Sequence, residues 1–315
     1  QPRRERRDRQ PLSLGVALLA GPFSRGMGVQ LAITVFHWLA AVTTVPFGLL
    51  ALFVPNPEKV HFDSKDVAFW LPTPVLHIAG MFCHLTMVTH ECICLYFVLA
   101  LLRDHGVLPA KTSDDARLFF STLLVASLFV CTVFWAAMVI DPLLFVDPAA
   151  LNFPAGTPRS KVYVKMFHML WVPTDPGEKG FCFFMKYIHT VCTLLVTVEA
   201  AITHHPLMDW GSEFYSLTSY CVKYLAWNLF CWWLLRRPPY PWQQGSAKAV
   251  AFHVTCFLWA WFLLAYSRAI RSSVSGGRTV QLLLLLWPLA CFVWASHGGH
   301  PFKAILARYH GAEGE

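Results

Sequence analysis

Two long apolar stretches of this chain carry polar side chains that hydrocarbon does not tolerate without a reason. One holds Cys83, His84, Thr86, Thr89, His90 and Glu91; the other holds Lys186, His189, Thr190, Thr193, Thr197 and Glu199 and ends at His204 and His205. A charge at the centre of a spanning helix costs about 2.5–3.5 kcal/mol, so each such group needs a function or a partner. Thr86 lies 17 residues before Arg103, where its stretch leaves the apolar region, and His189 lies 15 residues before His204. Both are even-numbered stretches and run in the same direction. A two-residue difference is about 3 Å along a helix that rises 1.5 Å per residue. A hydroxyl and an imidazole are therefore expected at one level, near mid-membrane. A hydroxyl becomes a nucleophile when a base takes its proton, and imidazole is the usual base near neutral pH. The types and depths of Thr86 and His189 thus allow acyl transfer.

A structural reading stands beside the chemical one. Thr in a spanning helix commonly bonds back to the carbonyl four residues earlier, which would occupy Thr86 without any catalysis. Glu199 is expected to hold a proton and bond across helices. Lys186 and Lys223 lie near helix ends, where long side chains snorkel to the interface. His84 and His90 are open to three roles: packing, support of a nearby site, or metal ligation.

The elements that must position these groups follow from composition. The chain has 315 residues, 56% of them apolar and 14% charged, against roughly 25% charged in soluble domains. Its polar residues fall in short stretches between apolar runs of membrane-spanning length, so it is expected to be a polytopic membrane protein. A spanning helix needs about 20 apolar residues. Seven candidates are read at about 28–54, 75–102, 118–140, 181–203, 217–235, 249–267 and 279–297. The loop of residues 147–180 is long and carries Phe153, Phe167 and Trp171, as a surface element would. Counting Lys and Arg by side leaves only a local bias at the first helix, which favours a cytosolic N-terminus.

The formal charge of +7 does not point to nucleic acid, because the basic residues are scattered over loops. Arg3, Arg4, Arg6, Arg7 and Arg9 read as a patch that meets anionic lipid. The chain begins at Gln1, as a fragment would, and the run Leu12–Ala20 behind the arginines suits either a signal-peptide core or an interfacial stretch. The ten cysteines lie in or beside apolar segments, with no metal-type pairing beyond Cys92 and Cys94, and read as small packing residues.

The second and fourth stretches also carry a family likeness. His189-Thr190, Glu199 ten residues on and the pair His204-His205 form a string that resembles the androgen-induced gene 1 and androgen-dependent TFPI-regulating protein family. Leu85-Thr86 followed by an apolar run to Asp104, Phe134-Trp135, and Tyr240-Pro241 fall in the matching order. The likeness covers roughly residues 78–270. It implies an integral-membrane threonine hydrolase that cleaves fatty acid esters of hydroxy fatty acids, with Thr86 as nucleophile and His189 as base. The basic N-terminus, the 147–180 loop, the segment at 279–297 and a Thr at position 89 depart from the family pattern.

The sequence thus predicts an all-α polytopic transmembrane helical bundle of six family-like helices plus an extra C-terminal one. Its parts are a basic segment 1–27, a hydrolase-like domain 28–270 and a C-terminal segment and tail 271–315. Thr86 and His189 are the expected catalytic pair, with Glu199, Thr89, His90 and His204 in support. Thr89, Thr190, Asn228 and Tyr187 are candidate oxyanion donors. No cofactor or metal is expected; the partners are a lipid ester and the bilayer of an endomembrane or plasma membrane, not nucleic acid. Two other readings remain: a membrane haem or metal protein using His84, His90, His189 and His204, and a non-catalytic lipid-binding or scaffold protein.

Overall fold

The computed structural model describes residues 22–53, 78–80, 82–109, 113–140, 187–203, 205–235, 238–244, 246–273 and 290. The described residues are helical, with no strand among them. Helix α1 spans Pro22–Phe53, α2 Leu85–Asp104 and α3 Asp114–Ile140. A π-helical turn, Tyr187–Val191, runs straight into the α-helix Cys192–Ile202, and the two together form α4. Helix α5 spans Trp210–Leu235, a short 3-10 turn covers Pro241–Gln244, and α6 spans Ser246–Ser273. Residues 1–21, the whole of the 147–180 loop with its surroundings (141–186), His204, and the expected segment 279–297 apart from Ala290 lie outside the described residues.

Long apolar runs become helices in lipid because a helix satisfies its own backbone hydrogen bonds where no water can. Among the described residues, four helices are long and apolar enough to cross a membrane: Gly28–Leu49, Leu85–Asp104, Asp114–Ala137 and Ala249–Ala269. The described part of α4 is apolar but shorter. Helix α5 matches the expected stretch 217–235 but starts earlier and carries Glu213, Lys223 and Asn228. Helix α3 is the hub: 78% of its spanning window is buried, against 17% for α6. It packs on α2, α4, α5 and α6, while α1 lies chiefly along α2. Phe97, Phe120, Leu124, Leu217 and Leu264 are wholly or almost wholly buried in this core.

Local chemistry fixes the helix ends. Gly106, at φ 72°, closes α2 in the left-handed conformation that only glycine adopts without cost. Its N–H bonds to the Arg103 carbonyl at 3.0 Å and that of Val107 to Leu102 at 2.9 Å. Ser113 Oγ then accepts the Ala116 N–H at 3.2 Å, with Asp114 and Asp115 in the first turn of α3, so the chain reverses within a few residues. Asp209 caps α5 by accepting the Ser212 N–H at 2.8 Å. Hydrogen bonding from the Ser212 side chain, and next from its N–H, holds the exposed Asp209 carboxyl below its ordinary value.

Two sequence expectations shift here. Glu213, Arg268 and Arg271 were expected in loops, yet all three lie in helices and pair with one another. Arg271 Nη2 donates to Glu213 Oε1 at 2.8 Å, and Arg268 Nη1 donates to Glu213 Oε2. The Glu213 side chain is fully buried and that of Arg271 nearly so. Pairing lets the helices run past the apolar window, which hydropathy alone does not foresee. Breaking a buried ion pair from one side costs about 3–5 kcal/mol because the remaining charge is stranded. Glu213→Gln should therefore lower unfolding stability in detergent by about that amount. A loss well under 1 kcal/mol would show that the pair is solvated.

Candidate active site

The second apolar stretch is not one continuous helix. It breaks at Cys83 and His84, and α2 begins only at Leu85, so Thr86 is the second residue of a helix rather than a mid-helix residue. A break frees backbone groups that lipid cannot solvate. Side chains from α5 and the 3-10 turn take them up. The Cys83 carbonyl accepts from Tyr224 Oη at 2.7 Å and from Asn228 Nδ2 at 2.8 Å, and the Phe82 carbonyl from Trp227 Nε1 at 2.8 Å. The Leu85 N–H donates to Tyr240 Oη at 3.0 Å. Asn228 Oδ1 accepts in turn from Gln243 Nε2 at 2.7 Å, and Gln243 Oε1 from the Tyr240 N–H at 3.0 Å. The break is thus a built feature, held by two other elements.

Thr86 faces His189 across it. Thr86 Oγ1 lies 3.2 Å from His189 Nε2, within reach for the hydroxyl to donate to an unprotonated ring nitrogen. The hydroxyl is therefore not occupied in bonding back to its own helix. His189 sits in the π-helical turn of α4, a local distortion often found at functional positions. The Phe134 ring stacks on the imidazole with centroids 3.5 Å apart and planes 16° apart. Three neighbours pin the turn: Tyr187 Oη donates to the Thr43 carbonyl at 2.8 Å, Trp135 Nε1 to Thr190 Oγ1 at 2.9 Å, and Thr193 Oγ1 to the Ser127 carbonyl at 2.8 Å. The imidazole is held by its backbone and by its ring face.

The pair opens on a cavity of about 120 Å³ between α3, α5 and α6. Asn228, Tyr224, Tyr240 and Gln243 line it near Thr86, and Val125, Phe129, Leu217 and Ala260 farther along. Leu217 and Asn228 are eleven residues apart on α5, which is about 16 Å of helix. The space has polar side chains near Thr86 and is otherwise lined mainly by apolar ones.

The supporting residues expected from sequence fall elsewhere. Thr89 Oγ1 pairs with Tyr220 Oη at 3.3 Å, and His90 is buried beside Cys94 and the Tyr187 ring. His204 lies outside the described residues. Glu199 does not touch His189. It is a hub ten residues away, where Oε1 accepts from Tyr96 Oη at 2.6 Å and meets His205 Nε2 at 3.2 Å, and Oε2 meets His37 Nε2 at 2.9 Å. His37 Nδ1 reaches Asp104 at 2.7 Å. Glu199 can accept in all three contacts, so the expected proton on it is not required by its surroundings. The hub ties α1, α2 and the end of α4 together and so braces the helix that carries His189. His37 and Tyr96 were missed in the sequence, although a lone ionisable group in the first apolar stretch was a signal for His37.

Of the expected oxyanion donors, Tyr187, Thr190 and Thr89 are engaged with Thr43, Trp135 and Tyr220, and Asn228 alone lines the cavity. His84, His90 and His189 do not converge: His84 packs edge-on against Tyr240, 5.1 Å between centroids, while the other two have the neighbours given above. Among the described residues, the ligand-type side chains that do converge are His90, Glu91 and Cys94. Fold and site together give an all-helical chain, with helices long and apolar enough to cross a membrane and a half-buried Thr–His pair at a largely apolar cavity. No protein-family model, curated protein or solved structure matches the chain.

His205 lies between α4 and α5, with its ring stacked on Phe120 at 3.6 Å. Burial pushes its imidazole below the ordinary value of 6.5, opposed by Glu199 and reinforced by Arg271 and Arg103. The folded protein then takes up this proton less readily than the unfolded chain, so His205 contributes stability that is lost as pH falls below about 6.5. Lowering the pH from about 7 to about 5 should therefore reduce Tm more in the native protein than in His205→Gln. An identical pH dependence in the two proteins would contradict this assignment.

Proposed function

We propose that this chain is an intramembrane threonine hydrolase that cleaves lipid esters, fatty acid esters of hydroxy fatty acids among them. In this reading it is akin to the androgen-induced gene 1 family, with six family-like helices, an additional C-terminal one, and a place in an endomembrane or plasma membrane. The observation that carries the reading is the 3.2 Å approach of Thr86 Oγ1 to His189 Nε2 at the end of an apolar cavity.

The chemistry runs in two halves. Thr86 Oγ1 attacks the ester carbonyl carbon while His189 Nε2 takes the hydroxyl proton. The tetrahedral intermediate collapses, the C–O bond to the leaving alcohol breaks, and His189 returns the proton to that oxygen. Acyl-Thr86 remains. Water then attacks the acyl carbon and gives a proton to His189; the acyl–Oγ1 bond breaks, His189 returns the proton to Thr86 Oγ1, and the fatty acid leaves. Thr86 stands in the first turn of α2, where backbone N–H groups point off the helix end and the macrodipole is positive. In this reading the Thr86 N–H donates to the developing oxyanion. The Leu85 N–H is already taken by Tyr240. Phe134 keeps the imidazole plane fixed while the proton passes. The chemistry needs no cofactor.

The apolar lining sets the substrate class. A charged or strongly polar group loses its hydration on entering such a space, whereas an acyl chain does not. Turnover of uncharged lipid esters should exceed that of short water-soluble esters by at least about tenfold, or 1.4 kcal/mol of transition-state energy. A soluble ester hydrolysed faster than any fatty acid ester would overturn the assignment.

Hydrolysis by variants in detergent or liposomes tests the pair itself. Thr86→Ala should lose turnover while keeping normal expression, because one intramembrane hydrogen bond is worth only about 1 kcal/mol. Thr86→Ser should keep part of the activity. His189→Gln keeps a polar side chain but no base, and should lower kcat by about 10²–10⁴. Undiminished turnover in Thr86→Ala sinks the mechanism. If even the native protein fails to turn over lipid esters that it binds, the cavity is a lipid-binding site instead.

A further inference from the structure

One turn along α2 from Thr86, facing α1 rather than the cavity, is a second cluster with its own chemistry. The sequence His90-Glu91-Cys92-Ile93-Cys94 places an imidazole and a thiol four residues apart with a carboxylate between them. At 100° per residue the three side chains fall within about a 100° arc of the helix. Spacing of this kind, His and a second ligand at i and i+4 with Glu at i+1, is the helical arrangement that holds zinc when both ligands face one point.

The distances fit. Tetrahedral bonds of about 2.0–2.3 Å set ligand atoms about 3.3–3.8 Å apart. His90 Nδ1 lies 3.5 Å from Glu91 Oε1 and 3.7 Å from Cys94 Sγ, and all three ligand atoms lie within 4.8 Å of one another. Two of the three separations already match coordination. His90 and Cys94 are buried, and Glu91 is mostly so.

Two further observations point to an occupant. Glu91 Oε1 is shielded from solvent and has no hydrogen-bond partner, a costly state for a carboxylate in hydrocarbon unless a cation or a proton relieves it. On the facing helix α1, Gly48 lets the Glu91 carboxylate and the Cys94 thiol approach the backbone closely. A Cβ there would lie 2.8 Å from Glu91 Oε2, 3.1 Å from Glu91 Oε1 and 3.1 Å from Cys94 Sγ. The glycine keeps this position clear of protein atoms.

We propose that His90, Glu91 and Cys94 form a binding site for a divalent, zinc-type cation at the α1–α2 interface. Imidazole, thiolate and carboxylate together suit Zn²⁺, and the three protein ligands leave a fourth position for water on the Gly48 side. Without metal the Cys94 thiol donates to the Thr44 carbonyl at 3.3 Å. Binding exchanges that bond for Cys94–metal coordination and releases the thiol proton to solvent. The site does not depend on the hydrolase reading.

Cobalt(II), a spectroscopic stand-in for zinc, tests it on the whole chain purified in detergent and stripped with chelator. One equivalent should bind with a thiolate-to-cobalt charge-transfer band that zinc abolishes, and should raise Tm by mass action. Cys94→Ser should lose the band. Glu91→Gln should keep a weaker band and bind at least about 100-fold less tightly, the upper end of what losing an outer-shell partner costs. Gly48→Ala retains every ligand but crowds the Glu91 carboxylate and the Cys94 thiol, and should also weaken binding, so the test survives if Cys94→Ser fails to fold. Thr86→Ala should bind cobalt normally whatever its effect on turnover. No band in the native protein, a band unchanged in Cys94→Ser, or native affinity in both Glu91→Gln and Gly48→Ala would overturn the site.

Discussion

A helix that stops within a packed, apolar interior leaves backbone carbonyls and amides that need partners, and much of this structure is arranged around one such stop. The chain leaves helical geometry at Cys83 and His84, and Tyr224, Trp227, Asn228 and Tyr240 supply the hydrogen bonds that water would supply elsewhere. Each unsatisfied group would otherwise cost several kcal/mol in hydrocarbon. The repair draws α5 and the 3-10 turn against the start of α2. It sets Thr86 in a first turn, where its hydroxyl faces another helix and its amide lies at the positive end of the helix dipole. The same residues that mend the backbone make the polar end of the cavity.

A second set of polar groups works at the other end of α2. Glu199 gathers contacts from His37, Tyr96 and His205, and Glu213 gathers Arg268 and Arg271. Buried charge survives in a low-dielectric interior only when paired and hydrogen-bonded. These hubs therefore dictate which helices lie side by side, while the Leu, Val and Phe side chains between them fill space with little directional preference. His189 hangs between the two systems. Its π-helical turn is pinned at one end by Tyr187, Trp135 and Thr193 and continued into Glu199 at the other.

Much of this was legible in the chain. Hydropathy placed α1 at 28–54 and α3 at 118–140, within six residues of Pro22–Phe53 and Asp114–Ile140. The depth of Thr86 and His189, read from distance to the ends of their stretches, put them on one level before any contact was known. Periodicity could not show the break in the stretch at 75–102, because it depends on donors about 140–160 residues away in sequence. Nor could it show that Glu199 bonds His37, 162 residues earlier, rather than serving His189 on its own helix. Helix α6 outran its expected end at 267 because Arg268 and Arg271 are neutralised by Glu213 rather than hydrated. Cys94 read as a packing residue because its companions in the cluster are a neighbour in sequence and a glycine on another helix.

The central claim is that Thr86 is a nucleophile made reactive by His189. The most direct measurement is labelling with a lipid-like fluorophosphonate, in which an attacking oxygen displaces fluoride from phosphorus and stays bonded to it, followed by mass spectrometry of the peptides. The account predicts a phosphonyl group on Thr86 in the native protein and its loss in His189→Gln. No label on Thr86, or equal labelling with and without the His189 imidazole, would contradict it.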